Sequence, residues 1–178
     1  MANTYVKIAT VSVPLLGQAA MSFTSIPSTY TDLCIKVSGR NAIVDITTYV
    51  DMIINGDTGA YYDQKNVSDS FNGTITNQSW SNQNSFYLYQ INGSTSTSNT
   101  FSNTEVYIPN YTSTVSKSIS VDGAAESNTS SGGGRVNALS AGLYHPASNV
   151  AISSITLTAS GGNFVQYSTA TLYGILKS

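Results

Sequence analysis

The chain has 178 residues, of which only 9% are charged, and its formal net charge is -2 at pH 7. This length is enough for one well-buried core, so we expect a single domain over residues 1–178. Seven Lys and Arg residues cannot form the basic surface that nucleic acid binding requires, and no apolar stretch approaches the roughly 20 residues of a membrane-spanning helix. The composition therefore predicts neither a nucleic acid partner nor membrane insertion.

Apolar and polar residues alternate along much of the chain, which predicts β-strands, and no segment has the spacing of an amphipathic helix. Turn-forming sequences such as Ser25 to Ser28 and Asn55 to Gly59 separate the alternating segments. In chain order, the predicted strands lie at residues 6–10, 20–24, 30–38, 43–54, 71–76, 85–91, 104–108, 115–121, 137–144, 150–158 and 168–176.

The number and spacing of these segments predict an all-β fold. We expect an antiparallel sandwich of two sheets, jelly-roll-like, with about 8–10 strands, because an immunoglobulin-like sandwich has only seven strands in about 100 residues. Residues 92–104 are low in complexity, and residues 123–135 end in a Gly-rich stretch. Both segments are predicted to be long exposed loops of Ser, Thr, Asn and Gly.

Residues with the potential for catalysis or metal binding are few. Cys34 is the only cysteine and lies in an alternating segment, which indicates a small residue inside a sheet. His145 is the only histidine and has no nucleophile motif near it. The nine acidic residues include Asp45 and Asp51, which are too far apart within one extended strand to form a glycosidase pair. We therefore predict a protein without enzymatic activity, bound metal or cofactor.

Aromatic residues in polar surroundings are the strongest candidates for contacts with a partner. Trp80 is flanked by amide and hydroxyl side chains, which is the chemistry of a sugar-stacking platform. The same residues could instead form a subunit contact, where Tyr and Trp are enriched, or a plug at one end of the sandwich. The candidate contact surface consists of Tyr61, Tyr62, Trp80, Phe86, Tyr87 and Arg135.

Four segments together resemble a group of small virion structural proteins. They are residues 23–33 (FTSIPSTYTDL), 55–62 (NGDTGAYY), 105–111 (EVYIPNY) and 162–175 (GNFVQYSTATLYGI). These segments look like β-rich, jelly-roll-like virion proteins of tailed bacteriophages, including cyanophages. The resemblance implies a part of the virion that assembles as a symmetric oligomer, and it supplies no catalytic residues.

The resemblance and the composition together predict a capsid decoration or cement protein. We expect a homotrimer that binds the major capsid protein or other virion subunits and stabilises the outer shell, where repetition turns weak contacts into avidity. The alternative is a head-fibre or tail-fibre module that recognises a host surface glycan. The N-terminal residues lack the pattern of a signal peptide, which predicts assembly in the host cytoplasm and location on the virion.

Overall fold

The computed structural model describes residues 4–70, 74–128, 135–148 and 150–176, and this part of the chain forms twelve β-strands. None of it forms a helix long and apolar enough to cross a membrane. The strands are β1 (Thr4–Ser12), β2 (Ala20–Phe23), β3 (Asp32–Ser38), β4 (Thr47–Ile54), β5 (Tyr62–Ser70), β6 (Thr74–Gln83), β7 (Phe86–Asn92), β8 (Asn103–Ile108), β9 (Lys117–Glu126), β10 (Arg135–Tyr144), β11 (Ile155–Ala159) and β12 (Thr169–Leu176).

The strands form two antiparallel sheets whose order is that of a jelly roll. The large sheet has the order β1-β12-β3-β8-β9-β10-β5-β6, and the small sheet has the order β2-β11-β4-β7. From β1 to β4 each successive strand changes sheet, and β11 and β12 return through both sheets beside the first strands. The hairpins β5–β6 and β9–β10 are insertions in this plan, and they extend the large sheet by four strands beyond β8.

The all-β, two-sheet prediction is confirmed, but the described residues contain twelve strands instead of about eight to ten. The strand that has no counterpart among the segments predicted in chain order is β5, in the inserted hairpin β5–β6. Strand β5 was not predicted because its sequence, YDQKNVSDS, has polar residues on both faces. The predicted strand at 71–76 falls partly on residues outside the described part of the chain, and β6 continues to Gln83. Within the predicted loop at 123–135, β9 extends to Glu126, whereas residues 129–134 lie outside the described part.

The core fills the space between the jelly-roll strands of the two sheets. In β4, Val50, Met52 and Ile54 are buried while the residues between them are half-buried, as the alternation of a strand requires. Leu33 and Ile35 of β3 are buried in the same apolar cluster. Each such side chain contributes about 1.5–3 kcal/mol when it is fully buried.

Arg40 organises the loop at 93–102 that follows β7. Its side chain is only 8% exposed and donates to the backbone oxygens of Ser94 (3.2 Å), Ser96 (2.8 Å), Thr97 (2.8 Å) and Thr100 (3.1 Å). A planar guanidinium can satisfy several carbonyl groups at once because its donors point outward in a fixed fork. The loop predicted from low sequence complexity is therefore wrapped around one buried cation.

Candidate functional site

The six residues of the predicted contact surface do not form one surface. Tyr62 and Phe86 are fully buried and belong to the core, so they cannot contact a partner in this fold. Tyr61 is half-buried and lies beside His145, with ring centroids 6.4 Å apart. Arg135 is exposed at the start of β10, away from the aromatic residues, where it is paired in register with Glu126. Within the predicted set, the ring contact that the structure shows joins Trp80 and Tyr87.

The burial of Tyr62 has a clear structural cause. Its ring stacks on Tyr144 with centroids 5.0 Å apart, and its hydroxyl accepts a hydrogen bond from the Ile54 amide (2.9 Å). The hydroxyl also donates to the backbone oxygen of Asp57 (3.0 Å). Burial raises the pKa of Tyr62 to about 12. Tyr62 therefore fixes the turn after β4 instead of presenting a surface.

Trp80 and Tyr87 meet where β6 of the large sheet lies beside the outward face of the small sheet. Their ring centroids are 5.5 Å apart in an edge-to-face arrangement, and Tyr49 lies 6.1 Å from Tyr87. Tyr49 also meets Tyr89 edge to face at 5.9 Å. Such pairs stabilise by about 0.5–1.5 kcal/mol beyond the area that they bury. Trp80, Tyr87 and Tyr49 are half-buried, so part of each ring remains accessible.

These aromatic residues line an open cleft of about 400 Å³, which we call the aromatic cleft. Its lining residues are Tyr49, Asp51, Gln78, Trp80, Tyr87 and Ser160. Asp51 accepts a hydrogen bond from the Ser85 hydroxyl at 2.8 Å through Oδ1. Burial, with smaller contributions from Asp51 and Tyr49, raises the pKa of Tyr87 above its ordinary value, which keeps this phenol protonated. The cleft thus combines neutral aromatic hydroxyls with one carboxylate and one amide.

A side chain fixes the position of Tyr87 in the cleft. Strand β7 is an edge of the small sheet, and its outer backbone groups would lack strand partners. The Gln64 amide donates to the backbone oxygen of Tyr87 (2.7 Å) and accepts from its backbone nitrogen (2.9 Å). Gln64 is buried on β5, which lies in the large sheet. This contact joins the edge of the small sheet to the inserted hairpin.

A β-bulge in β7 turns Tyr89 toward the same hairpin. The pairing of β4 with β7 shifts between Tyr49 and Asp51, and Tyr89 has a positive φ of 65°. This conformation is rare for an aromatic residue and costs about 1–2 kcal/mol. The Tyr89 hydroxyl donates to the Ser68 hydroxyl of β5 at 2.7 Å. The bulge therefore gives β7 a second connection to β5, next to the aromatic cleft.

The second notable surface is the outward face of the inserted strands, where aliphatic side chains are exposed while the inward positions of β5 are polar. The inward positions of β5 carry Gln64, Asn66 and Ser68, all of which are buried. On the outward face, Val67 of β5 is 51% exposed and Leu139 of the neighbouring strand β10 is 62% exposed. The register places Val67 directly opposite Leu139. A strand in a soluble sandwich normally points its aliphatic residues inward.

Ile75 of β6 extends this outward apolar face to the edge of the large sheet, and it is 72% exposed. With Val67 and Leu139 it lines a shallow groove of about 310 Å³, which we call the outward apolar groove. Strand β6 is ten residues long, carries neither charge nor proline, and forms the edge of the sheet. Charges, proline and short length are the features that usually protect such an edge, so β6 is open to pairing.

Sequence reasoning identified Trp80 and Tyr87 but missed the other functional candidates. Tyr49 and Asp51 occupy outward positions of β4, and only the strand order brings them to Trp80. Leu139 lies in a predicted strand and alternates there with small side chains, so its outward position could have been found from the sequence. Val67 lies in β5, which the sequence does not predict as a strand.

The remaining polar chemistry is sparse. Nε2 of His145 lies 3.2 Å from Oδ2 of Asp63, and both side chains are partly exposed. Among the described residues, no group of three or more His, Cys, Asp or Glu side chains could hold a metal ion. No protein-family model, curated protein or solved structure matches the chain.

Proposed function

We propose that this protein is a non-enzymatic structural component of a bacteriophage virion, a decoration or cement protein that attaches to the assembled shell and stabilises it. The observation that carries the proposal is the exposed apolar patch of Val67, Leu139 and Ile75 on the outward face of the inserted strands, while the inward positions of β5 carry amides and hydroxyls. Exposing aliphatic side chains to water is unfavourable, so this patch is best explained by a partner that covers it.

The composition supports attachment by shape and hydrogen bonds. With 9% charged residues, the chain offers few long-range electrostatic contacts. The outward apolar groove and the open edge of β6 lie side by side, so a neighbouring subunit could cover the groove and pair with the edge together. Repetition of this contact on a symmetric shell would multiply a weak interaction into stable attachment.

The resemblance to jelly-roll-like virion proteins of tailed bacteriophages agrees with this use of the surface. It favours the major capsid protein or another virion subunit as the partner, and a homotrimer as the assembled form. The protein would then be made in the host cytoplasm and function on the virion.

Replacement of Leu139 by Ser tests this proposal. The substitution removes an exposed aliphatic side chain, so we expect a melting temperature close to that of the wild type and a loss of binding to shells that lack the protein. Val44→Ser is the matched control, because Val44 is 84% exposed and lies outside the groove. Binding would be measured by co-sedimentation with the shells.

The oligomeric state in solution shows which of two partners covers the groove, another copy of this chain or a subunit of the shell. If copies of this chain meet there, the wild type is a trimer and Leu139→Ser is a monomer by light scattering. If a shell subunit meets the groove, the oligomeric state is unchanged and only shell binding is lost. A variant that retains both the oligomeric state and shell binding would contradict the proposal.

A further inference from the structure

We propose that the aromatic cleft is a binding site for a neutral pyranose sugar, either free or as one residue of a polysaccharide. This site is separate from the outward apolar groove, and sugar binding would be an activity in addition to shell attachment. The volume of about 400 Å³ lies within the range of ligand sites, roughly 300–1,000 Å³.

The aromatic residues match one face of a sugar ring. Trp80 and Tyr87 meet edge to face at 5.5 Å, so their rings form two walls at a steep angle instead of one flat surface. The faces of aromatic rings carry partial negative charge, and the C–H groups of a pyranose carry partial positive charge. A ring placed against one wall is therefore attracted to it and displaces water from an apolar surface.

The polar residues of the cleft match sugar hydroxyls. Oδ1 of Asp51 accepts from the Ser85 hydroxyl at 2.8 Å, which orients the carboxylate. Its second oxygen, Oδ2, has no protein hydrogen bond within the described part of the chain and can accept from a hydroxyl of a ligand. The Gln78 side chain is exposed and supplies both a donor and an acceptor. Neighbouring hydroxyls of a sugar present the same alternation of donors and acceptors.

The charge of the cleft selects against acidic ligands. Asp51 is its one ionisable carboxylate, and the described residues that line it include no Lys, Arg or His. An anionic sugar, a phosphate or an acidic peptide would bring a second negative charge without a compensating cation. A cationic peptide would be attracted to Asp51, but it would leave the amide and hydroxyl groups of the cleft without matched partners.

Hydrogen bonds hold the backbone of the site before a ligand binds. Both backbone groups of Tyr87 are held by Gln64, and Trp80 lies in the paired region of β5 and β6. The backbone oxygen of Tyr49 accepts from the amide of Ser160 at 3.0 Å. Side chains on fixed strands lose little conformational entropy on binding, which favours affinity for a small ligand.

Trp80 is the only tryptophan in the chain, so its fluorescence reports directly on the cleft. We would titrate the protein with tetrasaccharides of glucose, galactose, mannose, xylose and N-acetylglucosamine, and with a tetrasaccharide of galacturonic acid. We expect a saturable change in Trp80 emission with at least one neutral sugar and none with the acidic one. The absence of saturable binding by every neutral sugar, or tighter binding of the acidic one, would overturn the proposal.

Asp51→Ala is the test variant for the site, and Asp45→Ala is its control because Asp45 is exposed and lines neither the aromatic cleft nor the outward apolar groove. We expect Asp51→Ala to weaken binding of the preferred sugar by about tenfold, the effect of losing one hydrogen bond to a charged group. Binding that is unchanged in Asp51→Ala would place the sugar outside the cleft and overturn the proposal. Shell binding by the same variant should stay at the wild-type level, so the failure of either proposal can be recognised separately.

Discussion

The side-chain amide of Gln64 makes two hydrogen bonds to the backbone of Tyr87, the same two that a residue of a neighbouring strand would make. Its nitrogen donates to the Tyr87 oxygen at 2.7 Å, and its oxygen accepts from the Tyr87 nitrogen at 2.9 Å. One side chain thus protects the edge of the small sheet and holds an aromatic wall of the cleft. The edge of the large sheet at β6 carries neither charge nor proline, and its pairing with β5 shifts only near its end, between Tyr62 and Gln64.

Replacement of Gln64 by Glu should destabilise the protein by about 2–3 kcal/mol. A carboxylate can still accept from the Tyr87 amide, but it faces the Tyr87 oxygen without a donor, and its charge is buried. The free energy of unfolding would be measured by urea denaturation. Gln78→Glu is the control, because Gln78 is exposed on β6. Equal stabilities of the two variants would show that the Gln64 amide contributes nothing at this edge.

Replacement of Arg40 by Lys should loosen the loop at 93–102. Lys retains the charge, but its donors all radiate from one nitrogen and cannot reproduce the two-nitrogen fork of the guanidinium. The backbone oxygens of Ser94, Ser96, Thr97 and Thr100 therefore cannot all keep their hydrogen bonds to residue 40. We expect a loss of about 2–3 kcal/mol and faster proteolytic cleavage within the loop. Lys36→Arg on β3 is the control, because Lys36 is exposed. Protection of the loop in Arg40→Lys at the wild-type level would contradict this role.

The stability of the protein should fall at alkaline pH because of Tyr62. Its pKa is raised by burial from 10.0 to about 12 in the folded protein, so the folded state retains a proton that the unfolded state releases. The stabilisation is fully present below pH 10 and is lost as the pH rises toward 12. Thermal unfolding measured from pH 10 to pH 12 should show that the melting temperature falls less steeply with pH in Tyr62→Phe than in the wild type.

The decline should persist in part in Tyr62→Phe, because burial also raises the pKa of Tyr111 and Tyr144. Tyr5→Phe is the control, since Tyr5 is exposed on β1. Identical pH profiles for the wild type and Tyr62→Phe would contradict the buried position of this hydroxyl.

Cys34 should resist alkylation while the protein is folded. Burial is the largest cause that raises the pKa of its thiol to about 11, with a smaller contribution from Glu105, so little thiolate forms at mildly alkaline pH. The side chain is also fully buried on β3. Iodoacetamide labelling followed by mass spectrometry should show modification only after urea is added. Labelling of the native protein at the rate seen in urea would be incompatible with this position.

The jelly-roll strands could be predicted from the sequence because their pattern follows burial directly. In β4 and β3 most inward positions are aliphatic, and the outward positions other than Ile53 carry polar or aromatic residues. Strand β5 could not be predicted in this way. Its inward residues Gln64, Asn66 and Ser68 satisfy hydrogen bonds instead of filling an apolar core, so the chain shows no alternation there.

The aromatic cleft was predictable only in part. Trp80 and Tyr87 attract attention in the sequence because they lie among amide and hydroxyl residues. Tyr62 has the same surroundings along the chain but is buried, because its stacking on Tyr144 depends on the pairing of β5 with β10. Tyr49 and Asp51 line the cleft only because of the strand order, and the strand order cannot be predicted from the alternation of polar and apolar residues.

The number of copies of this protein on purified virions tests the proposed function most directly. Virions produced from the genome that encodes the chain would be analysed by quantitative mass spectrometry against the major capsid protein. We predict a copy number comparable to that of the major capsid protein, as expected for a subunit that decorates the whole shell. Absence from the virions, or a copy number fitting only a tail or a few fibres, would contradict it.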